Sequence, residues 1–143
     1  MADINLYQYA VINRPGSQPL VLGSKNKPST ITLTGTGEVY HRVYNDNANW
    51  PLNLYDDAIT TGTLKFIAIK VSVDATLCVA DNESSGNNCT IPLEADVWTF
   101  ISGGSVLGYA ASVNTRLAEA AIDIDYVSLF AGANADIEFF AMY

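Results

Sequence analysis

Along most of the chain apolar side chains recur at every second position, in runs too short for helices, and clusters of Gly, Pro, Asn and Asp separate the runs. Residues 89–104, CTIPLEADVWTFISGG, show the pattern in one place. Residues 90–93 form one extended run, Glu94, Ala95 and Asp96 a polar break, and residues 97–101 a second run closed by Gly103 and Gly104. In that second run Val97, Thr99 and Ile101 fall on one face and Trp98 and Phe100 on the other. A strand with large apolar groups on both faces suits the inside of a sandwich or a subunit interface.

The same reading extends along the chain. Residues 1–13 alternate as a strand that ends at the turn NRPGS, where Pro15 fixes φ and Gly16 is free to make it positive. Shorter runs follow at 19–22 and 30–34. Gly35-Thr36-Gly37 has no third glycine and leads into a strand over 39–44, so it reads as a turn or bulge and not as a phosphate loop. Residues 52–55 are extended, and 64–73 form the longest apolar run, with Ile67, Ile69, Val71 and Val73 in phase and Phe66 and Ala68 on the other face. Such a run belongs in the middle of a sheet. Residues 76–80 and 89–93 flank a loop without apolar side chains, which predicts a hairpin. Residues 106–113 read as a strand, 116–121 as a marginal helix, and 122–130 and 136–143 as further strands. Short strands with frequent turns and almost no helix predict an all-β fold, an antiparallel β-sandwich over a single domain, residues 1–143. The jelly roll is its best specific form and a partly closed barrel the alternative.

Composition sharpens this picture. With 49% hydrophobic and only 15% charged residues the chain is too apolar for disorder and short of the charge that covers an ordinary monomer, so an interface is expected. The net charge of −8, with no basic cluster beyond Lys25 and Lys27, argues against nucleic acid. No basic segment precedes an apolar stretch at the N-terminus, and no run reaches the roughly eighteen apolar residues of a membrane helix, so neither a secretion leader nor a membrane contact is expected.

Candidate chemistry is sparse. His41 is the single histidine, without a second imidazole or a cysteine at ligand spacing, and reads as a packed or surface residue. Asp81, Glu83, Ser85 and Gly86 match part of a calcium loop, but Pro92 stands where the closing glutamate is required. Asp123 and Asp125 read as the solvated face of an edge strand. No nucleophile sits beside a base, so no catalytic, metal or cofactor residues are expected and the protein is not read as an enzyme. Cys78 and Cys89 face each other across the predicted hairpin; a bridge there would be worth about 3 kcal/mol, and two reduced thiols are the equal alternative.

The segments MADINLYQYA, IPLEADVWTFISGG and ADIEFFAMY, together with the low charge, resemble the small jelly-roll decoration, or cement, proteins of tailed-bacteriophage capsids. The resemblance implies a structural virion protein on the capsid surface, assembled in the host cytoplasm. It implies a homo-oligomer, a trimer by preference, that binds the major capsid protein and stiffens the shell. The family has no shared catalytic residues. The expected contact residues are Leu6, Tyr7 and Tyr9 in the first strand, Trp50, and Asp81 and Glu83 in the hairpin loop. The competing reading is a carbohydrate- or receptor-binding sandwich module, for instance in a phage fibre, in which Trp50 and Trp98 would stack on sugar rings.

Overall fold

A computed structural model describes residues 2–7, 9–13, 15–33, 37–56, 63–81, 88–102, 105–109 and 119–143. Every helix or strand among the described residues is a strand: β1 (Ala2–Leu6), β2 (Tyr9–Ile12), β3 (Leu20–Gly23), β4 (Ser29–Leu33), β5 (Glu38–Asn45), β6 (Leu52–Asp56), β7 (Phe66–Val71), β8 (Ala75–Ala80), β9 (Asn88–Leu93), β10 (Thr99–Ser102), β11 (Ser105–Tyr109), β12 (Glu119–Asp123), β13 (Tyr126–Phe130) and β14 (Ala135–Met142). The chain divides into two compact units, Met1–Thr36 and Gly37–Tyr143.

The first unit is a pair of nested antiparallel ladders. β2 pairs with β3, Tyr9 opposite Gly23 and Ile12 opposite Leu20, and β1 pairs with β4, Leu6 opposite Ser29. Residues 1–13 alternate as though for one strand, yet the chain between Leu6 and Tyr9 is shorter than that between Gly23 and Ser29. One ladder therefore cannot run through, and the segment becomes two strands. Gly16, at φ 73°, closes the inner hairpin as its sequence predicts. The Lys25 ammonium lies 4.7 Å from the centroid of the Tyr9 ring, and Thr30 donates a 2.8 Å hydrogen bond to Asn5 Oδ1.

The second unit is two antiparallel sheets in a sandwich-like arrangement. One has the order β10-β7-β14-β5 and the other β12-β11-β9-β8-β13-β6. Alternation decides which side chains meet between them. Ile67, Ile69 and Val71 of β7 and Ile137, Phe139 and Ala141 of β14 are buried against Leu77 and Val79 of β8 and Val127 and Leu129 of β13, in one continuous core. β7 lies inside its sheet with both faces covered: Phe66, on the face away from that core, is only 3% exposed.

Two further sequence expectations change. Glu119–Asp123, partly inside the predicted helix, is β12, because its pairing with β11 supplies hydrogen bonds that a helix of two turns could not offset. The single strand expected over 122–130 breaks at Ile124 and Asp125. There the Ile124 carbonyl accepts from Leu64 N at 2.9 Å and Asp125 N donates to the Ala80 carbonyl at 3.0 Å, so those backbone groups leave the ladder.

The polar break at 94–96 carries the chain from one sheet to the other. Asp96 N donates to the Val71 carbonyl at 2.7 Å, Ala95 N donates to Asp74 Oδ1 at 3.0 Å, and Asp96 takes φ 61°, a left-handed value that suits Gly, Asn or Asp. Asp96→Val is therefore expected to lower stability by about 1–2 kcal/mol, while Asp96→Gly stays within about 0.5 kcal/mol of the parent. Urea denaturation checks both; equal losses would show that the side chain's 3.8 Å contact with Lys70, not the backbone, sets the requirement.

Candidate interaction surfaces

The outer face of the four-stranded sheet gathers side chains that are far apart in sequence. Register places Phe100 of β10 opposite Ala68 of β7, Ala68 opposite Phe140 of β14, and Phe140 opposite Tyr40 of β5, so one row crosses all four strands. Around it the rings form a chain: Trp98 stacks on Phe100 with centroids 6.2 Å apart, Phe100 on Phe66 at 6.3 Å, and Phe66 meets Phe140 edge-on at 6.4 Å. Phe66 is covered by this cluster, whereas Trp98 and Phe100 remain 41% and 49% exposed. Isolated exposed apolar residues are ordinary, whereas Trp98 and Phe100 are exposed side by side and joined to the rings beneath them.

Beside the rings the same face turns polar. Lys70, Glu138 and Arg42 are in register across β7, β14 and β5, and with Asp96, Asp136 and Tyr44 they border an open depression of about 550 Å³. Tyr40 donates a 3.1 Å hydrogen bond to Glu138 Oε1, and this bond, more than the slight desolvation and the carboxylate charge, raises the phenol above its ordinary pKa. Charges of both signs thus alternate around the depression. Among the described residues no group of three or more His, Cys, Asp and Glu is placed to hold a metal ion.

Trp50 is placed differently. It follows β5 in a loop stitched to the β13–β14 connection: its indole N–H donates to the Ala133 carbonyl at 2.9 Å, Asn47 N donates to Asn134 Oδ1 at 2.8 Å, and Asn45 Nδ2 donates to the Asn49 carbonyl at 3.1 Å. The ring packs partly on the core, so Trp50 and Trp98 do not form one stacking platform. Asp81, half-buried, follows β8, whose Ala80 pairs with Tyr126 at the start of β13, whereas Trp50 bonds beyond that strand's end. The two expected contact residues thus occupy opposite ends of the sandwich. Glu83 lies outside the described residues. Leu6 is half-buried, while Tyr7 and Tyr9 are exposed.

His41 faces inward on β5, 3.1 Å through Nε2 from the Leu54 carbonyl and stacked on Phe139 at 6.0 Å, which is a packed role. Cys78 and Cys89 are on paired strands, but Cys78 stands opposite Thr90 and Cys89 opposite Val79. Their side chains therefore leave the sheet on opposite faces, and both are free thiols. Burial raises the Cys78 thiol above its ordinary pKa, a hydrogen bond with Ser128 opposes this, and the neighbouring Cys89 adds to the rise.

No protein-family model matches the chain, and neither a curated protein nor a solved structure is significantly similar to it.

Proposed function

We propose that the protein is a jelly-roll structural component of a tailed-phage virion, which binds the outer surface of the capsid as an oligomer, contacts the major capsid protein and stabilises the shell. Strand order supports the jelly-roll part. With β5 to β10, β13 and β14 numbered one to eight, the sheets run 6-3-8-1 and 5-4-7-2, so that one neighbours eight, two neighbours seven, three neighbours six and four neighbours five. Those are the neighbours produced when one long antiparallel ribbon is rolled up. The observation that carries the function is the aromatic cluster on the outer face of the four-stranded sheet, in which Trp98 and Phe100 stay exposed over the buried Phe66 and half-buried Phe140, a surface suited to protein contact.

The test is co-sedimentation of the purified protein with expanded shells of a tailed phage that encodes it. The expected result is saturable binding at a fixed number of copies per shell and a higher temperature of shell disruption. Shells that neither bind the protein nor gain heat resistance would sink the proposal. The exposed Trp98–Phe100 stack also favours a second reading, a glycan-binding module. Saturable glycan binding that Trp98→Ala abolishes would put that reading in place of the first.

A further inference from the structure

Among the described residues two exposed apolar surfaces stand out, one in each unit. The first is the β2–β3 hairpin. Its described residues are exposed throughout, with Tyr9, Val11 and Val21 on one face and Ile12, Leu20 and Leu22 on the other, and Val21 is 53% exposed. A two-stranded hairpin is marginal in water even with one apolar face to bury, and this one has two and no core of its own. The second surface is the row of rings on the four-stranded sheet. Each carries exposed large apolar side chains, and each needs a cover.

Charge indicates what that cover is. Residues 1–36 hold three of the seven Lys and Arg but one of the fifteen Asp and Glu, a net charge of +2, which leaves −10 on residues 37–143. The ring-bearing face shares that sign: Glu38, Asp96, Asp136 and Glu138 outnumber Arg42 and Lys70 on it. Lys25 is held beside Tyr9 at the base of the hairpin, next to the apolar side chains. One end of the chain thus presents an apolar, basic ribbon and the other an aromatic, acidic face, and the two are complementary in both respects.

We infer that the protein associates with itself through this pair of surfaces: the β2–β3 hairpin of one copy lies across the Trp98–Phe100–Phe140 face of a second, with Lys25 and Lys27 against its carboxylates. Because the donor and acceptor surfaces are different, the contact is head-to-tail and closes as a ring when the rotation permits, a trimer being one such ring. This deepens the oligomeric part of the proposed function and needs no capsid.

Sedimentation velocity over a wide concentration range, with the full chain, tests it. The expected result is an oligomer that Val21→Glu on the hairpin and Phe100→Glu on the sheet each weaken by at least about tenfold. Both side chains are exposed, so the circular dichroism spectrum should stay near the parent's, and the melting temperature should match it at concentrations low enough for all three proteins to be monomeric. Zero-length carbodiimide cross-linking of the unaltered protein, as an equal mixture of isotope-labelled and unlabelled chains, gives a second readout. Lys25 or Lys27 should join a sandwich carboxylate of the other isotope. A monomeric parent, an oligomer that survives both substitutions, or cross-links only within one isotope would overturn the inference, the last by showing the ribbon on its own sandwich. A monomer that still binds shells would remove this contact and leave the capsid reading, and an oligomer that binds no shells would do the reverse.

Discussion

Replacing Phe139 by alanine is expected to lower the stability of the sandwich by about 3–5 kcal/mol, the range for deleting a fully buried ring from a well-packed core. Phe139 has no exposed surface, sits inside β14 opposite Ile69 of β7 and His41 of β5, and stacks on the His41 ring. Alanine there leaves a void bounded by side chains of both sheets, and the flanking strands cannot close it without breaking two ladders. Phe140, one residue on, faces the outer surface and is only partly buried, so Phe140→Ala should cost less than half as much. Urea denaturation with an unchanged m-value is the measurement. Equal losses at the two positions would mean that the inside and outside of this sheet are wrongly assigned.

Gly37→Ala is expected to cost about 1–2 kcal/mol through Tyr143. Gly37 N donates to the Tyr143 carbonyl at 3.4 Å and Tyr143 N to the Gly37 carbonyl at 3.1 Å, and a Cβ at Gly37 would fall within the Tyr143 ring. The ring's far end is the part struck, so it can swing aside, but only by giving up its packing on the core and its place 6.0 Å from the Tyr55 ring. The double-mutant cycle isolates the cause: in a Tyr143→Ala background the added methyl group should be nearly neutral. The same loss in both backgrounds would assign the cost to the backbone instead.

The strands were legible in the sequence because their alternation is local. β5, β6, β8, β9 and β14 lie within a residue or two of the runs that predict them, and the two-sided apolar run around Ile67 does lie inside a sheet. What failed was whatever depends on a partner strand. The helix expected near residue 120 gave way to pairing with β11, and the continuous first strand broke because its two partners differ. The aromatic row was half visible, since Trp98 and Phe100 stood out as the second face of their strand. That Phe66, Phe140 and Tyr40 join them depends on register across four strands, which no local spacing encodes. The contact residues expected at Trp50 and Asp81 came from loop position alone, and loop position does not say at which end of a sandwich a loop emerges.

The place of β14 also shapes how the protein comes into being. This strand is the last in chain order yet lies between β7 and β5, with Glu38 opposite Met142. On the ribosome, β7 and β5 therefore wait with unpaired edges until β14 itself has been translated, and the four-stranded sheet closes only then. Such non-local closure folds slowly, in the millisecond-to-second range typical of all-β domains, and exposes apolar edges to neighbouring nascent chains in the interval.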